Sequence, residues 1–289
     1  GLGRMGFAMT QTLLREGFAV IAYDVLPAAR ERAGGIGATV ADSLSAMFAE
    51  ARIVVSSLPQ GADVEAVVAG DGGLLASAQE PGTLLIDTST SEPSTTRRLH
   101  ALLRERGHGM LDAPVSGGPA GALAGTLTMM IGGEEADLAR AGLVLAALSG
   151  KIIHVGGPGA GNVAKLVNNL LCAAHLLTNG EALRIAGAAG VDPESVMRAV
   201  NAASGRSGVS EVNVPRWILS ETFDSGFTMG LMRKDVRLAV DMLQSVGATA
   251  PLSTIVGAIW AGSADVLADE EDFNRMAEIA PYKRANDNG

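Results

Sequence analysis

The chain has 289 residues, 47% of them hydrophobic and 18% charged, with a formal net charge of −9. That length suits one large domain or, more naturally, two, and the acidic balance argues against sequence-independent nucleic-acid binding, which needs a concentrated positive surface. A single cysteine, Cys172, excludes an intramolecular disulfide framework and a multi-cysteine metal site, and no apolar stretch approaches the roughly 18 residues of a membrane span.

The chain opens inside a glycine motif, Gly1-Leu2-Gly3-Arg4-Met5-Gly6, with nothing ahead of it to form the strand such a motif follows. A short N-terminal piece, holding that first strand and any targeting signal, is therefore expected to be missing from this numbering. Residues 5–16 read as a helix with Met9, Leu13 and Leu14 on one side, ended by Gly17. Residues 18–23 form a short run of strand formers closed by Asp24. Strand-like runs recur at 53–58, 83–87, 109–112, 127–131 and 151–155, most of them separated by helix-length segments. Short continuous apolar strands alternating with helices predict a mostly parallel sheet covered on both faces. Arg97, Arg98, Arg104 and Arg106 lie at helical spacing and read as a solvated helix face.

Near residue 160 the pattern changes. Residues 161–187 form a long helical candidate with Val163, Leu166, Val167, Leu170, Leu171, Ala174 and Leu177 at three- and four-residue intervals. Further helices are expected at 192–204, with Pro193 in the first turn, and at 214–221, 230–245, 251–268 and 271–279, with no strand after about 156. The fold class is thus an α/β Rossmann domain over 1–158, followed by an all-α C-terminal domain over 159–289 that begins with the long interdomain helix. Residues 284–289 read as a frayed tail. With two tryptophans and two tyrosines, the core must be filled by aliphatic side chains and the 11 methionines. Cys172, in an apolar run, reads as a small buried hydrophobe.

Candidate ligand residues sit at the ends of these strands. In the first turn Gly1 allows a tight bend, Gly3 lets the backbone approach a pyrophosphate, and Gly6 permits close helix–strand contact. Asp24 lies 18 residues after Gly6 at the end of the next strand. A carboxylate there can accept the adenosine ribose hydroxyls and repel the extra phosphate of NADP, so NAD is the expected cofactor. NADP stays possible if the loop folds back and lets Arg30 approach a 2′-phosphate. Leu58-Pro59 and Thr88-Ser89-Thr90 follow strands, where ligands of open parallel sheets bind. After the strand at 109–112 come Ser116, Gly117 and Gly118, a turn that is either structural or able to hold a carboxylate on its N–H groups.

Lys165, Asn168 and Asn169 interrupt the apolar long helix near its N-terminal end, and Lys165 and Asn169 share one face. Polar groups are costly to bury without partners. A desolvated lysine near a helix N-terminus loses its proton more readily, which suits a proton donor and acceptor. The alternative is a lysine snorkelling to solvent beside two packing asparagines. Lys234 is open between a cofactor contact and a surface charge. The four histidines show no metal-ligand spacing, so no metal is assigned.

The pieces GLGRMG (1–6), SSLP (56–59), DTST (87–90), DAPVSGG (112–118), GAGNVAKLVNN (159–169) and LMRKD (231–235) occur in one order. As a set they resemble the β-hydroxyacid dehydrogenase family, which includes 3-hydroxyisobutyrate dehydrogenase and tartronate semialdehyde reductase, with 6-phosphogluconate dehydrogenase as a larger relative. The resemblance implies hydride transfer between NAD and a small 3-hydroxy acid of the 3-hydroxyisobutyrate, glycerate or hydroxymethyl-dicarboxylate kind. It implies Lys165 as acid/base, with Asn169 orienting substrate or lysine. Ser116, Gly117, Gly118 and Asn168 would bind the substrate, and Gly1 to Gly6, Asp24, Leu58, Pro59, Thr90 and Lys234 the cofactor. It further implies a homodimer or homotetramer. The single cysteine fits a reducing compartment, cytoplasmic or matrix-like, and charge and hydropathy argue against a nucleic-acid or membrane partner. Arg206, Arg216 and Arg233 are candidates for a second acidic substrate group or simply surface charges. Two other readings remain: an imine reductase-like enzyme, disfavoured by the lysine at 165, and a non-catalytic nucleotide-binding interaction protein.

Overall fold

A computed structural model describes residues 1–78 and 80–279, and the tail expected at 284–289 lies outside the described residues. The chain divides into two compact units, Gly1–Lys165 and Leu166–Gly289.

The first unit is α/β. It runs α1 (Arg4–Arg15), β1 (Ile21–Ala22), α2 (Pro27–Gly34), β2 (Thr39–Val40), α3 (Leu44–Glu50), β3 (Ile53–Ser56), α4 (Gly61–Ala69) and α5 (Leu74–Ser77). There follow β4 (Leu84–Asp87), α6 (Pro93–Glu105), β5 (Gly109–Asp112), β6 (Val115–Ser116), α7 (Gly118–Ala124), β7 (Leu127–Gly132), α8 (Glu135–Leu148) and β8 (Ser149–Gly156). Then α9 (Ala160–Ala188) begins, the boundary between the units falling within it after Lys165.

Strands β3, β4 and β5 are parallel, and their register sets Ser56, Asp87 and Asp112 side by side at the strand ends. Alternation along β4 explains its unbroken apolar sequence. Leu84 and Ile86 pack with Met9, Leu111 and Leu145, whereas Leu85 faces the other way among Phe48, Val64 and Leu99.

The expected mostly parallel arrangement holds for the pair β1 and β2 and for β3 to β5, but the sheet as a whole is mixed. Strand β7 runs antiparallel to β5 and β6 and parallel to β8. A parallel crossover needs a dozen or more residues, usually with a full helix. Here the segment between β5 and β7 is spent on β6, a glycine turn and the short α7. The two-residue strands β2 and β6 are too short to leave a periodicity in the sequence, and only Ile21 and Ala22 of the expected strand at 18–23 pair with a neighbour.

The second unit is helical: the remainder of α9, α10 (Pro193–Asn201), a π-helix at Val209–Ile218, α11 (Met229–Ser245), α12 (Pro251–Gly262), and 3-10 turns at Ser263–Asp265 and Phe273–Glu278. Asp192 caps α10 by accepting the Ser195 N–H, with Pro193 in the first turn. Two expectations are corrected. The helix expected at 214–221 starts earlier and is wound as a π-helix around Pro215, whose ring nitrogen has no N–H for a regular i→i−4 bond. The helix expected at 271–279 is a 3-10 turn, opened by Asp272 accepting the Asn274 N–H. Trp260 is fully buried and donates its indole N–H to the Ala173 carbonyl at 3.3 Å. Around it Met197, Met229, Met232 and Met276 fill the core, each buried side chain contributing about 1.5–3 kcal/mol.

Candidate active site

The first cluster lies at the strand ends of the α/β unit. Gly3 is the N-cap of α1 and no side chain caps it, so the helix start presents backbone N–H groups to a ligand. A Cβ on Gly3 would meet nothing within 4 Å, whereas one on Gly6 would lie 1.9 Å from the Gly1 carbonyl oxygen. The first glycine keeps the helix mouth open, and the second lets the turn close on itself. These features fit the pyrophosphate of a dinucleotide. Asp24 Oδ2 accepts the Leu2 N–H at 2.6 Å, and Oδ1 accepts the Leu26 N–H at 2.9 Å. Each carboxylate oxygen retains a further lone-pair direction for a ribose hydroxyl.

Arginines frame this turn. Arg30 donates to the Asp24 main-chain carbonyl at 2.7 Å and lies over the Tyr23 ring. Sequence reasoning missed Arg32. It donates to the Leu2 carbonyl at 2.7 Å and stacks on Phe7 with 4.5 Å to the ring centroid. An open cleft of about 640 Å³ beside the turn is lined by Gly3, Arg4, Phe7, Gln11, Arg32 and Pro119. Nothing local in the sequence sets Arg32 apart from Arg30, its neighbour on α2.

The loops after β3 and β4 are joined. Ser89 Oγ accepts the Leu58 N–H at 3.0 Å, and the Thr88 hydroxyl donates to the Ser56 carbonyl at 2.7 Å. Ser57 reaches the first turn, its carbonyl oxygen 2.4 Å from where a Gly1 Cβ would sit. The structure thus brings together Gly1, Leu58 and the loop carrying Thr90. The Ser116 turn is built from two successive positive φ angles, 125° at Gly117 and 63° at Gly118, a conformation that side chains disfavour. Gly117 caps α7 without a side-chain hydrogen bond, so this helix start also directs backbone N–H groups outward.

The start of α9 is held by Asp112, the first residue of the DAPVSGG motif. Its carboxylate accepts the N–H groups of Gly159 and Asn162, both at 2.8 Å. Burial pushes the Asp112 carboxyl up to about 6. The hydrogen bonds from Asn162 and Gly159 pull the other way, and the Asp87 charge on the next strand adds to the rise. Lys165, one turn further along α9, is only 8% exposed.

In the second unit, Asn169 is buried and donates to Asp235 Oδ2 at 2.6 Å. Asn168 donates to Asn169 Oδ1 at 3.0 Å, and Lys234 Nζ lies 3.2 Å from Asp235 Oδ1. Asn168, Asn169, Asp235 and Lys234 therefore form one chain of polar contacts. Asn168 itself is exposed, so the buried polar side chains near the start of α9 are Asn162, Lys165 and Asn169 rather than the expected trio. Arg233 is engaged with Ser263 Oγ and the Leu267 carbonyl, Arg216 lies over Trp217, and Arg206 is exposed. Among the described residues no cluster of His, Cys, Asp or Glu side chains could hold a metal ion, and no helix is long and apolar enough to cross a membrane.

Residues 1–156 match the family described as the NAD binding domain of 6-phosphogluconate dehydrogenase. Residues 159–280 match that described as NAD-binding of NADP-dependent 3-hydroxyisobutyrate dehydrogenase. The chain is 36% identical to the 2-(hydroxymethyl)glutarate dehydrogenase of Eubacterium barkeri, over 96% of this chain and 92% of that protein. It is 37% identical to the NAD-dependent L-serine dehydrogenase of Pseudomonas aeruginosa, over 96% and 95%. The solved structure of Mycobacterium tuberculosis 3-hydroxyisobutyrate dehydrogenase with L-serine superposes with a TM-score of 0.88 at 38% identity, covering 96% of each chain.

Proposed function

The chain belongs to the β-hydroxyacid dehydrogenase family, and from that premise we propose that it oxidises or forms a small 3-hydroxy acid with Lys165 as general acid/base and NAD as preferred cofactor. The observation that carries this reading is the near-complete burial of Lys165, on the helix that follows an open glycine turn and a twice-bonded Asp24. A lysine ammonium is strongly hydrated and is costly to bury unless its proton is used or held.

When bound, the nicotinamide supplies or accepts the hydride. The residues of the chain do the rest. Gly3 and the start of α1 receive the pyrophosphate, Asp24 receives the ribose hydroxyls, and Lys234 and the Thr90 loop contact the nicotinamide half. The N–H groups around Gly117 and Gly118, with the Ser116 hydroxyl and Asn168, bind the substrate carboxylate. Lys165 Nζ donates a proton to the substrate oxygen as a carbonyl is reduced, and takes it back on oxidation. Asn169, fixed by Asp235, orients the substrate or the lysine.

The substrate class covers 3-hydroxyisobutyrate, glycerate, serine and hydroxymethyl-dicarboxylates, and the substrates for which its relatives are named fall within that chemistry. With Arg233 committed elsewhere, a second acidic group would meet Arg206 or Arg216. We assign the enzyme to the cytoplasm as a homodimer or homotetramer. Exposed Val167, Leu171, Leu252 and Ile255 support self-association.

The test is a panel of these acids with NAD and with NADP, followed by nicotinamide absorbance, beside Lys165→Ala. Turnover that vanishes in the variant supports the reading. Turnover of a cyclic imine with none of any hydroxy acid would replace it by imine reduction, and cofactor binding without any turnover would replace it by a non-catalytic role.

A further inference from the structure

We propose that Asn162 is a positioning residue that sets Lys165 for proton transfer by pinning the first turn of α9 to the loop after β4. The inference rests on the acid/base reading of Lys165. It starts from an unusual helix beginning. The first N–H groups of a helix have no partners within it and are commonly met by a side chain just ahead. On α9 they are met from a distant strand, by Asp112 of β5 accepting from Gly159 and Asn162.

The Asn162 side chain then makes two further buried bonds. Its Oδ1 accepts the Ser91 N–H at 3.0 Å, and its Nδ2 donates to Thr96 Oγ1 at 3.1 Å. Asn162, Ser91 and Thr96 are all at most 2% exposed. Ser91 directly follows Thr90, so one carboxamide joins the loop proposed to contact the nicotinamide to the helix carrying the proposed acid/base. The backbones leave no slack. A Cβ on Gly161 would lie 2.4 Å from the Met130 carbonyl oxygen and 2.6 Å from that of Asp112.

Lys165 is three residues after Asn162 and on the same face. A long side chain on a helix ends about 6 Å from the axis, so a rotation of about 10° at the pinned turn would move the Lys165 Nζ by about 1 Å. A misplacement of that size can cost on the order of 100-fold in rate. Asn162 does not need to touch substrate to matter. It acts through the helix.

The test compares kcat with cofactor affinity. Asn162→Ala is expected to lower kcat at least about tenfold, with the NADH dissociation constant changed less than about twofold. Because that variant removes a buried side chain, Thr96→Val and Thr96→Ser carry the test if it fails to fold. The valine keeps the shape and loses the hydroxyl that accepts from Asn162, and is expected to lower kcat several-fold at unchanged cofactor affinity. The serine keeps the hydroxyl and is expected to match the wild type. Wild-type kcat in Asn162→Ala or Thr96→Val beside an inactive Lys165→Ala would overturn the positioning role and leave the acid/base reading standing. Parallel losses of kcat and cofactor affinity would overturn it as well, reducing Asn162 to a structural residue. Full activity in Lys165→Ala would remove the acid/base reading, and this inference with it.

Discussion

The Asn169 carboxamide donates to Asp235 at 2.6 Å, a buried bond between α9 and α11 within the helical unit. The same carboxylate is reached by Lys234, so one acidic group orients the two residues proposed to face substrate and cofactor. Replacing it leaves a buried N–H without an acceptor, a loss of about 1–3 kcal/mol. Asp235→Ala is expected to lower the melting temperature by several degrees and to reduce kcat. Asp235→Asn, which still offers an oxygen to Asn169, is expected to recover part of both. Thermal unfolding and turnover on one preparation check this, and an unchanged melting temperature would contradict the bond.

Lys165→Ala removes the proposed proton donor and leaves the glycine turn intact. Turnover is expected to fall by about 10²–10⁴-fold, while NADH binding, followed by fluorescence, stays within about twofold. Loss of cofactor binding to the same extent would place Lys165 in the cofactor site instead.

Both halves of the fold were legible because each leaves a period in the sequence: the unbroken apolar β4 for a doubly covered strand, and the three- and four-residue spacing along α9 for a helix. The strand ends were legible too, since the glycine turn, Asp24 and the Ser116 turn are local in sequence. What was not legible is held by contacts across many residues. Asp112 stood in a quoted motif, but its part in starting α9 depends on a partner 47 residues away. Asn162 and Thr96 are 66 residues apart. Arg32 shares its helix with Arg30 and looked no different from it. The reversal of β7 left no trace in periodicity, because a strand reads alike in either direction.

Asp24 decides the cofactor preference in the proposed reading. Its two bonds to Leu2 and Leu26 N–H groups hold the carboxylate in place. Asp24→Ser removes the negative charge and keeps one small acceptor. The NAD-to-NADP ratio of kcat/KM is expected to fall at least about tenfold, a change of about 1.4 kcal/mol, with Arg30 and Arg32 nearby to receive a 2′-phosphate. Steady-state kinetics with both cofactors measure it, and a ratio that stays put would move the discrimination away from Asp24.

Asp112 should make stability depend on mild acid. Its carboxyl is raised from an ordinary 3.8 to about 6, chiefly by burial. Between those values the folded chain binds a proton that the unfolded chain has released, so this group's contribution to stability falls as pH rises. It is fully present below about 3.8 and is lost as pH passes through 6, a change on the order of 3 kcal/mol. Asp112→Asn carries no such titration, and groups shared by the two proteins cancel in the difference between them. Urea unfolding of both from pH 4 to 8 should show the wild-type stability, relative to the variant, declining across pH 4–6 and level above 7. A flat difference would mean that Asp112 titrates alike in the folded and unfolded chain, its bonds from Gly159 and Asn162 balancing its burial. A rising one would give this carboxylate the opposite sign, that of an acid stabilised in its charged form by the start of α9.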